Sequence, residues 1–308
     1  MTIAVRVDVC ICTHAPRRPV FARVIAALAA QTARGQMRVI VIDNASDPPV
    51  GAAELAALVA AGVETRVVVE PNRGIAFARG RAIRESTAPS ILFVDDDNEL
   101  ADDYVAAALA LADAHPELGC IGGQLLPAPG LDVPSWFTPI ASFFALDMQG
   151  IAEPRTGFVV YKWTPADPPT AGLLVRREVA ELYLAFEPMY GALGRTPGRP
   201  ASVEDCLLVR QAHRLSLQCS RRPELRLWHH VDPRRFELGS ALRFFYSHGG
   251  AQVTLSQLLG KRDRFRSELA GVAWTVARTF IGKSDPRTAA CMAAWELGRR
   301  RALWTTYA

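Results

Sequence analysis

Residues 91–98 read Ile91-Leu92-Phe93-Val94-Asp95-Asp96-Asp97-Asn98. Four apolar, β-prone residues in succession make a strand buried on both faces, and such strands belong to parallel sheets covered by helices. The strand ends in three consecutive carboxylates, whose mutual repulsion must be offset by a cation or by hydrogen bonds. A hard divalent ion held by one or two carboxylates plus phosphate oxygens is one solution. The other is a turn in which one aspartate caps a helix starting near Leu100.

Outward from this stretch, short β-rich runs alternate with helix-length segments. The strands are Val7 to Cys12, Arg38 to Asp43, Thr65 to Glu70, Ile91 to Asp95 and Cys120 to Gly122. Between them lie Val20 to Thr32, Ala52 to Ala61, Ile75 to Glu85 and Ala101 to His115. This alternation implies crossover connections and a mostly parallel sheet, the α/β class. Ligands of such sheets bind beyond the carboxyl ends of the strands. Here those ends read Thr13-His14, Asp43-Asn44, Pro71-Asn72-Arg73-Gly74 and Asp95-Asp96-Asp97-Asn98.

Beyond Gly123 the pattern loosens through a Pro-rich stretch containing Trp136. It resumes as a strand-like run over Thr170 to Arg177, a helix over Ser202 to Arg214, an extended segment over Arg222 to Val231 and helices from Gly239 onward. The 308 residues are 50% hydrophobic and 21% charged, which excludes disordered, fibrous and coiled-coil classes. No apolar run approaches the length of a membrane span, and the first residues read as a strand rather than a signal peptide, so a cytoplasmic protein is expected. Six cysteines without a CxxC pair fit neither a disulfide framework nor a zinc site, and Cys10 and Cys12 read as core residues on one face of a strand. The net charge of +4 is modest and carried by arginine, with lysine only at 162, 261 and 283. Its clusters lie in the last third, where phosphates or an anionic membrane surface are candidate partners; no nucleic-acid partner is expected.

The order Val-Cys-Ile-Cys-Thr-His (9 to 14), Val-Ile-Asp-Asn-Ala-Ser-Asp (41 to 47), Pro-Asn-Arg-Gly-Ile-Ala-Phe-Ala-Arg-Gly (71 to 80) and Phe-Val-Asp-Asp-Asp (93 to 97) resembles glycosyltransferase family 2. The resemblance continues through Ile121-Gly122-Gly123, Leu174 to Arg177, Glu204-Asp205 and Trp228-His229-His230-Val231, in the family's order. It implies the GT-A fold, a Rossmann-like sheet flanked by helices, and inverting sugar transfer from a nucleotide-sugar donor, UDP-linked above all. Asp43 then matches an aspartate that binds base or ribose, its alternative being an Asx-turn. Thr13, Asn72 and Arg79 fall at nucleotide-binding positions, with a solvated helix residue as the alternative for Arg79. Asp95 and Asp97 match the DxD motif: Asp97 as metal ligand, Asp95 at ribose or metal, with His229 a further metal ligand. The cofactor implied is Mn²⁺ or Mg²⁺.

Asp205 matches the catalytic base, which must reach the acceptor hydroxyl. Ser202-Val203-Glu204-Asp205 also fits a helix-capping pattern, and the two roles are compatible. Glu204 and Trp136 are expected to contact the acceptor: a saccharide, a lipid-linked saccharide or a small natural product. The segment Tyr190 to Pro200 reads as a mobile acceptor loop. A departure is Pro169-Thr170-Ala171-Gly172-Leu173, where the family usually has Gly-Ala-Asn, which leaves the donor sugar open.

The expected organisation is a GT-A domain over 1–235, with a nucleotide-sugar half to about 123 and an acceptor half over 124–235, and a helical region over 236–308 packed on it. Two other readings stand beside transfer: a non-catalytic or carbohydrate-binding relative, and a nucleotidyltransferase. Leu242, Phe244, Phe245, Trp274, Phe280 and Trp295 interleave with arginines, as in helices lying on the inner face of a membrane; a bundle covering the sheet is the alternative. Homo-oligomerisation is left open.

Overall fold

The computed structural model describes residues 4–158, 164, 166–193, 203–260 and 285–307. Its first half runs β1 (Val7–Thr13), α1 (Arg18–Ala29), β2 (Met37–Asp43), α2 (Ala56–Ala60), β3 (Glu64–Val69), α3 (Ile75–Glu85), β4 (Ser90–Asp95), β5 (Asn98–Leu100), α4 (Tyr104–Ala114) and β6 (Leu118–Pro127). Then follow β7 (Arg155–Gly157), β8 (Leu173–Arg176), α5 (Arg177–Tyr183), α6 (Tyr190–Leu193), α7 (Glu204–Arg214), β9 (Gln218–His229), α8 (Leu238–Leu258) and α9 (Pro286–Tyr307).

The sheet order is β3-β2-β1-β4-β8-β6-β9-β5, with β7 on β9. The first four strands are parallel, as the alternation predicts; β8 enters antiparallel between β4 and β6, and β6 pairs parallel with β9. The strand order reverses at β1, between β2 and β4, which opens a crevice at the carboxyl ends. Registers Thr13↔Asp43, Cys12↔Asp95 and Asp43↔Val69 bring those ends to one rim.

Alternating strand residues feed two cores. Val7, Val9, Ile11, Val39, Val41, Leu92 and Val94 pack against α1, α2 and α4. Cys10, Cys12, Ile40, Ile42, Ile91 and Phe93 pack against α3, α5 and α7 on the other face. All six cysteines are free and buried, so Cys10 and Cys12 are the core residues their spacing suggests. The helix expected near Leu100 starts at Tyr104 instead, because Asn98–Leu100 is drawn into the sheet as β5 beside β9. The segment 52–61 is a 3-10 turn followed by one short helix, α2.

A third core joins the C-terminal helices to the segment 136–148. Phe137 lies 4.7 Å from both Phe144 and Phe236, and Phe144 lies 4.4 Å from Phe244, centroid to centroid. Phe244 and Phe245 are therefore interior, and Leu242 and Trp295 pack against the same cluster, which is the bundle rather than the membrane face. Trp274 and Phe280 lie outside the described residues. The large apolar side chains that α9 does expose are Leu297 at 58% and Trp304 at 67%. Among the described residues no helix is long and apolar enough to cross a membrane.

Helices α8 and α9 meet at two glycines. A Cβ on Gly298 would lie 1.9 Å from the Tyr246 carbonyl oxygen, and one on Gly249 the same 1.9 Å from that of Trp295. Main chain cannot yield as a flexible side chain does, so Gly298→Ala should lower stability by about 1–3 kcal/mol, roughly 2–10 °C in Tm. Gly250→Ala meets nothing nearer than 3.6 Å and should leave Tm unchanged or slightly raised in the same thermal-denaturation series.

Candidate active site

The carboxylate turn is built by hydrogen bonds that the sequence does not announce. Asn98, fully buried, accepts the Asp95 amide at Oδ1 (3.1 Å) and donates from Nδ2 to Asp97 Oδ1 (3.2 Å). The Thr13 hydroxyl donates to Asp96, and the His230 amide donates to the Asp97 carbonyl (2.8 Å). Asp97 faces cations: His229 Nε2 is 3.4 Å from its Oδ1 and Arg17 Nη2 is 3.7 Å from its Oδ2. Burial opposes its charge, but His229, Arg235 and Arg17 outweigh burial and hold the carboxyl down at about 2. Asp96 goes the other way, pushed up to about 7 by burial and by its neighbour Asp97.

His229 is aimed by its other nitrogen. Nδ1 lies 3.0 Å from the Ala145 carbonyl, to which it donates, so Nε2 is the atom left facing Asp97. Burial disfavours the charged ring, yet Asp97 and the Ala145 carbonyl raise its pKa overall. A histidine oriented through its second nitrogen is the usual arrangement around a metal. Among the described residues no three such side chains close a metal cage. Asp97 and His229 thus form an open half-site, with Asp95 beside it 34% exposed, which suits an ion whose remaining ligands are phosphate oxygens or water. His230 turns away as its extended backbone requires, pairing with Glu99 at 2.7 Å.

Arg79 is not the exposed helix residue of the alternative reading. Its side chain is 5% exposed; one nitrogen donates to Glu204 Oε1, the other to the Thr170 hydroxyl, and Asp95 Oδ1 lies 3.7 Å away. Glu204, 2% exposed, is correspondingly buried rather than offered to an acceptor. Helix α7 starts at Glu204 with Val203 as its N-cap, one residue later than the capping pattern suggests, and Asp205 Oδ1 accepts the Cys206 amide at 2.7 Å. Asp205 remains partly exposed, next in sequence to the buried pair that reaches Asp95.

Both Asp43 oxygens accept main-chain amides, from Ser46 and Val50 at 3.0 Å each, and the residue is 1% exposed, so it holds the turn after β2. Asn72 is exposed on the rim, in a loop whose shape is set by Asn44: Nδ2 donates to the Glu70 and Asn72 carbonyls and Oδ1 accepts the Gly74 amide. Gly74 sits at φ 141°, a conformation that favours glycine, and turns the chain into α3. Trp136 is buried in the third core, its carbonyl accepting the Thr288 hydroxyl and its ring lying 5.2 Å from the Arg287 guanidinium; it packs rather than meeting an acceptor. Tyr190, itself buried, opens a short helical turn, α6, and 194–200 lie outside the described residues. The sequence reading missed Arg17, Asn44, Asn98 and Thr170. Asn44 and Asn98 lie within the strand ends quoted above, and that position is the signal the sequence carries for them.

Because burial and Asp97 raise the Asp96 carboxyl in the folded chain, keeping it folded costs nothing below the ordinary carboxylate range at about 4, and the cost grows as pH rises from there and levels off above about 7. Thermal denaturation in EDTA should therefore show the Tm of Asp96→Asn rising relative to the parent between about pH 4 and pH 7, with part of the gain present at about pH 5 and all of it at about pH 8.

The profile of the family described as glycosyl transferase family 2 matches residues 8–181. The succinoglycan biosynthesis protein ExoM of Rhizobium meliloti (strain 1021) is 27% identical over 178 residues, covering 57% of this chain and 53% of that protein. The chain thus spans about half the length of this curated relative. Among solved structures, S. aureus TarS 1–349 in complex with UDP superposes with a TM-score of 0.52 at 13% identity, covering 98% of this chain and 92% of that one. The mannosyltransferase PcManGT from Pyrobaculum calidifontis, in complex with GDP-Man and Mn²⁺, superposes with a TM-score of 0.53 at 17% identity, covering 99% and 76%. At these identities the structural likeness is one of fold, the mixed, mostly parallel GT-A architecture. With more than half of its length matched by one family profile, the chain belongs to glycosyl transferase family 2.

Proposed function

We propose that the chain transfers a sugar, with inversion, from a UDP-sugar to a hydroxyl of a growing saccharide. The observation that carries this reading is the Asp97–His229 pair beside the linked ion pairs Asp95–Arg79–Glu204, with the partly exposed Asp205 next in the chain to Glu204. A saccharide acceptor is favoured by the similarity to a succinoglycan biosynthesis protein; the fold is shared with TarS bound to UDP and with PcManGT bound to GDP-Man alike, and UDP is taken from the family resemblance of the sequence motifs.

In this mechanism the acceptor oxygen attacks the anomeric carbon as the bond to the diphosphate breaks on the opposite face. Asp205 accepts the hydroxyl proton; its place at the start of α7 keeps it rigid. Asp97 and His229 would hold a divalent ion, Mn²⁺ or Mg²⁺, that neutralises charge on the leaving diphosphate. Arg17, beside Asp97, adds a fixed positive charge to the same rim. Asn72, exposed on the rim, would meet the nucleoside.

A thermal-shift panel of UDP, GDP, dTDP, CDP and ADP with and without Mn²⁺ tests the donor site. UDP with Mn²⁺ should raise Tm by several degrees, and Asp97→Ala should abolish the shift. A shift with another nucleotide would replace the donor, and none with any would contradict the reading. Asp205→Asn should lower turnover by about 10²–10⁴-fold while leaving the UDP shift intact.

A further inference from the structure

Arg79 and Glu204 form a buried ion pair, 5% and 2% exposed, between α3 and the start of α7. Arg79 comes from α3, Glu204 is the first residue of α7, Thr170 belongs to the loop before β8, and Asp95 ends β4. One guanidinium therefore ties four segments together, and the nearest of them to the proposed chemistry is the helix turn that carries Asp205. Burying such a pair is no gain over packing apolar side chains of equal volume, so stability alone does not account for it. What a charge-assisted hydrogen bond adds is direction and distance. The Glu204 Oε2 atom is buried and has no hydrogen-bond partner among the described residues, so the Arg79 contact through Oε1 alone sets where this carboxylate sits.

We propose that Arg79 and Glu204 are positioning residues for Asp205: the buried pair fixes the first turn of α7 against the Asp95 rim, so that the base is held in line with the donor. The proposal rests on the reading of Asp205 as the base. Because the pair ties α3 and the Asp95 rim to the first turn of α7, it sets the distance between that rim and the base. A displacement of about 1 Å at such a distance lowers turnover about 10²-fold without affecting donor binding.

The test replaces both partners with apolar side chains of similar size, Arg79→Met with Glu204→Leu, which leaves no unpaired buried charge. Three quantities are measured: Tm, the Kd of UDP with Mn²⁺, and the kcat and KM for UDP release from UDP-glucose, UDP-galactose and UDP-N-acetylglucosamine with water as acceptor. The expected result is a Tm within a few degrees of the parent, a UDP Kd and donor KM within about threefold, and a kcat lowered about 10²-fold, with Arg79→Lys intermediate. A double variant with parental kcat would show the pair to be packing only. Loss of UDP affinity together with kcat would make Arg79 a donor-binding residue. Either result overturns the proposal. Asp205→Asn, measured alongside, separates the two readings: if it turns over normally, the base assignment falls and takes the proposal with it, whereas an inactive Asp205→Asn with an active double variant removes the proposal alone.

Discussion

Three consecutive carboxylates at the closed end of a buried strand are an electrostatic load that the surrounding structure must offset. Two of them are offset in different ways. Asp97 is surrounded by positive groups from three parts of the chain: His229 from β9, Arg17 at the start of α1, and Arg235 after β9. Asp96 is held by Thr13 in a setting that favours its proton. Asp95 shares Arg79 with Glu204 and stays open to solvent. The third carboxylate is thus the bridge between the cation-rich side and the side that carries Asp205.

The same constraint explains the reach of the C-terminal helices. They do not enter the crevice, yet they pack on the aromatic cluster of Phe137, Phe144, Phe236 and Phe244. That cluster fixes the segment ending at Ala145, a non-glycine residue at φ 54° whose carbonyl receives the His229 Nδ1 proton. Asp147, two residues on, accepts the Leu125 amide at 2.8 Å and pairs with Arg221 of β9, locking the segment to the strand that bears His229. The orientation of one imidazole is therefore set by packing contributed from the far end of the chain.

The parallel half of the sheet was legible because Ile91 to Val94 and its counterparts are apolar runs of strand length with helical segments between them. The antiparallel insertion of β8 was not, since a short run such as Leu173–Arg176 carries no mark of its direction. For the site, residue order identified the rim but could not tell which polar side chains turn outward. Asp43 and Arg79 sit at rim positions, and in both the competing need to satisfy buried groups decided the outcome: Asp43 holds the amides of a turn, and Arg79 neutralises a glutamate 125 positions away. Trp136 packs in the third core, because a large aromatic in a Pro-rich loop finds its partners in helices that no local pattern connects to it. His229 over His230 was readable, since extended backbone puts neighbours on opposite faces.

The central claim is that the turn after β4, with His229, binds the donor diphosphate through a divalent ion. Electron–nuclear double resonance of Mn²⁺ bound with UDP tests it most directly. The account predicts phosphorus couplings from the diphosphate together with a nitrogen coupling from one imidazole, the latter lost in His229→Ala. A nitrogen coupling unchanged in that variant, or bound Mn²⁺ without phosphorus coupling, would place the ion elsewhere and contradict the account.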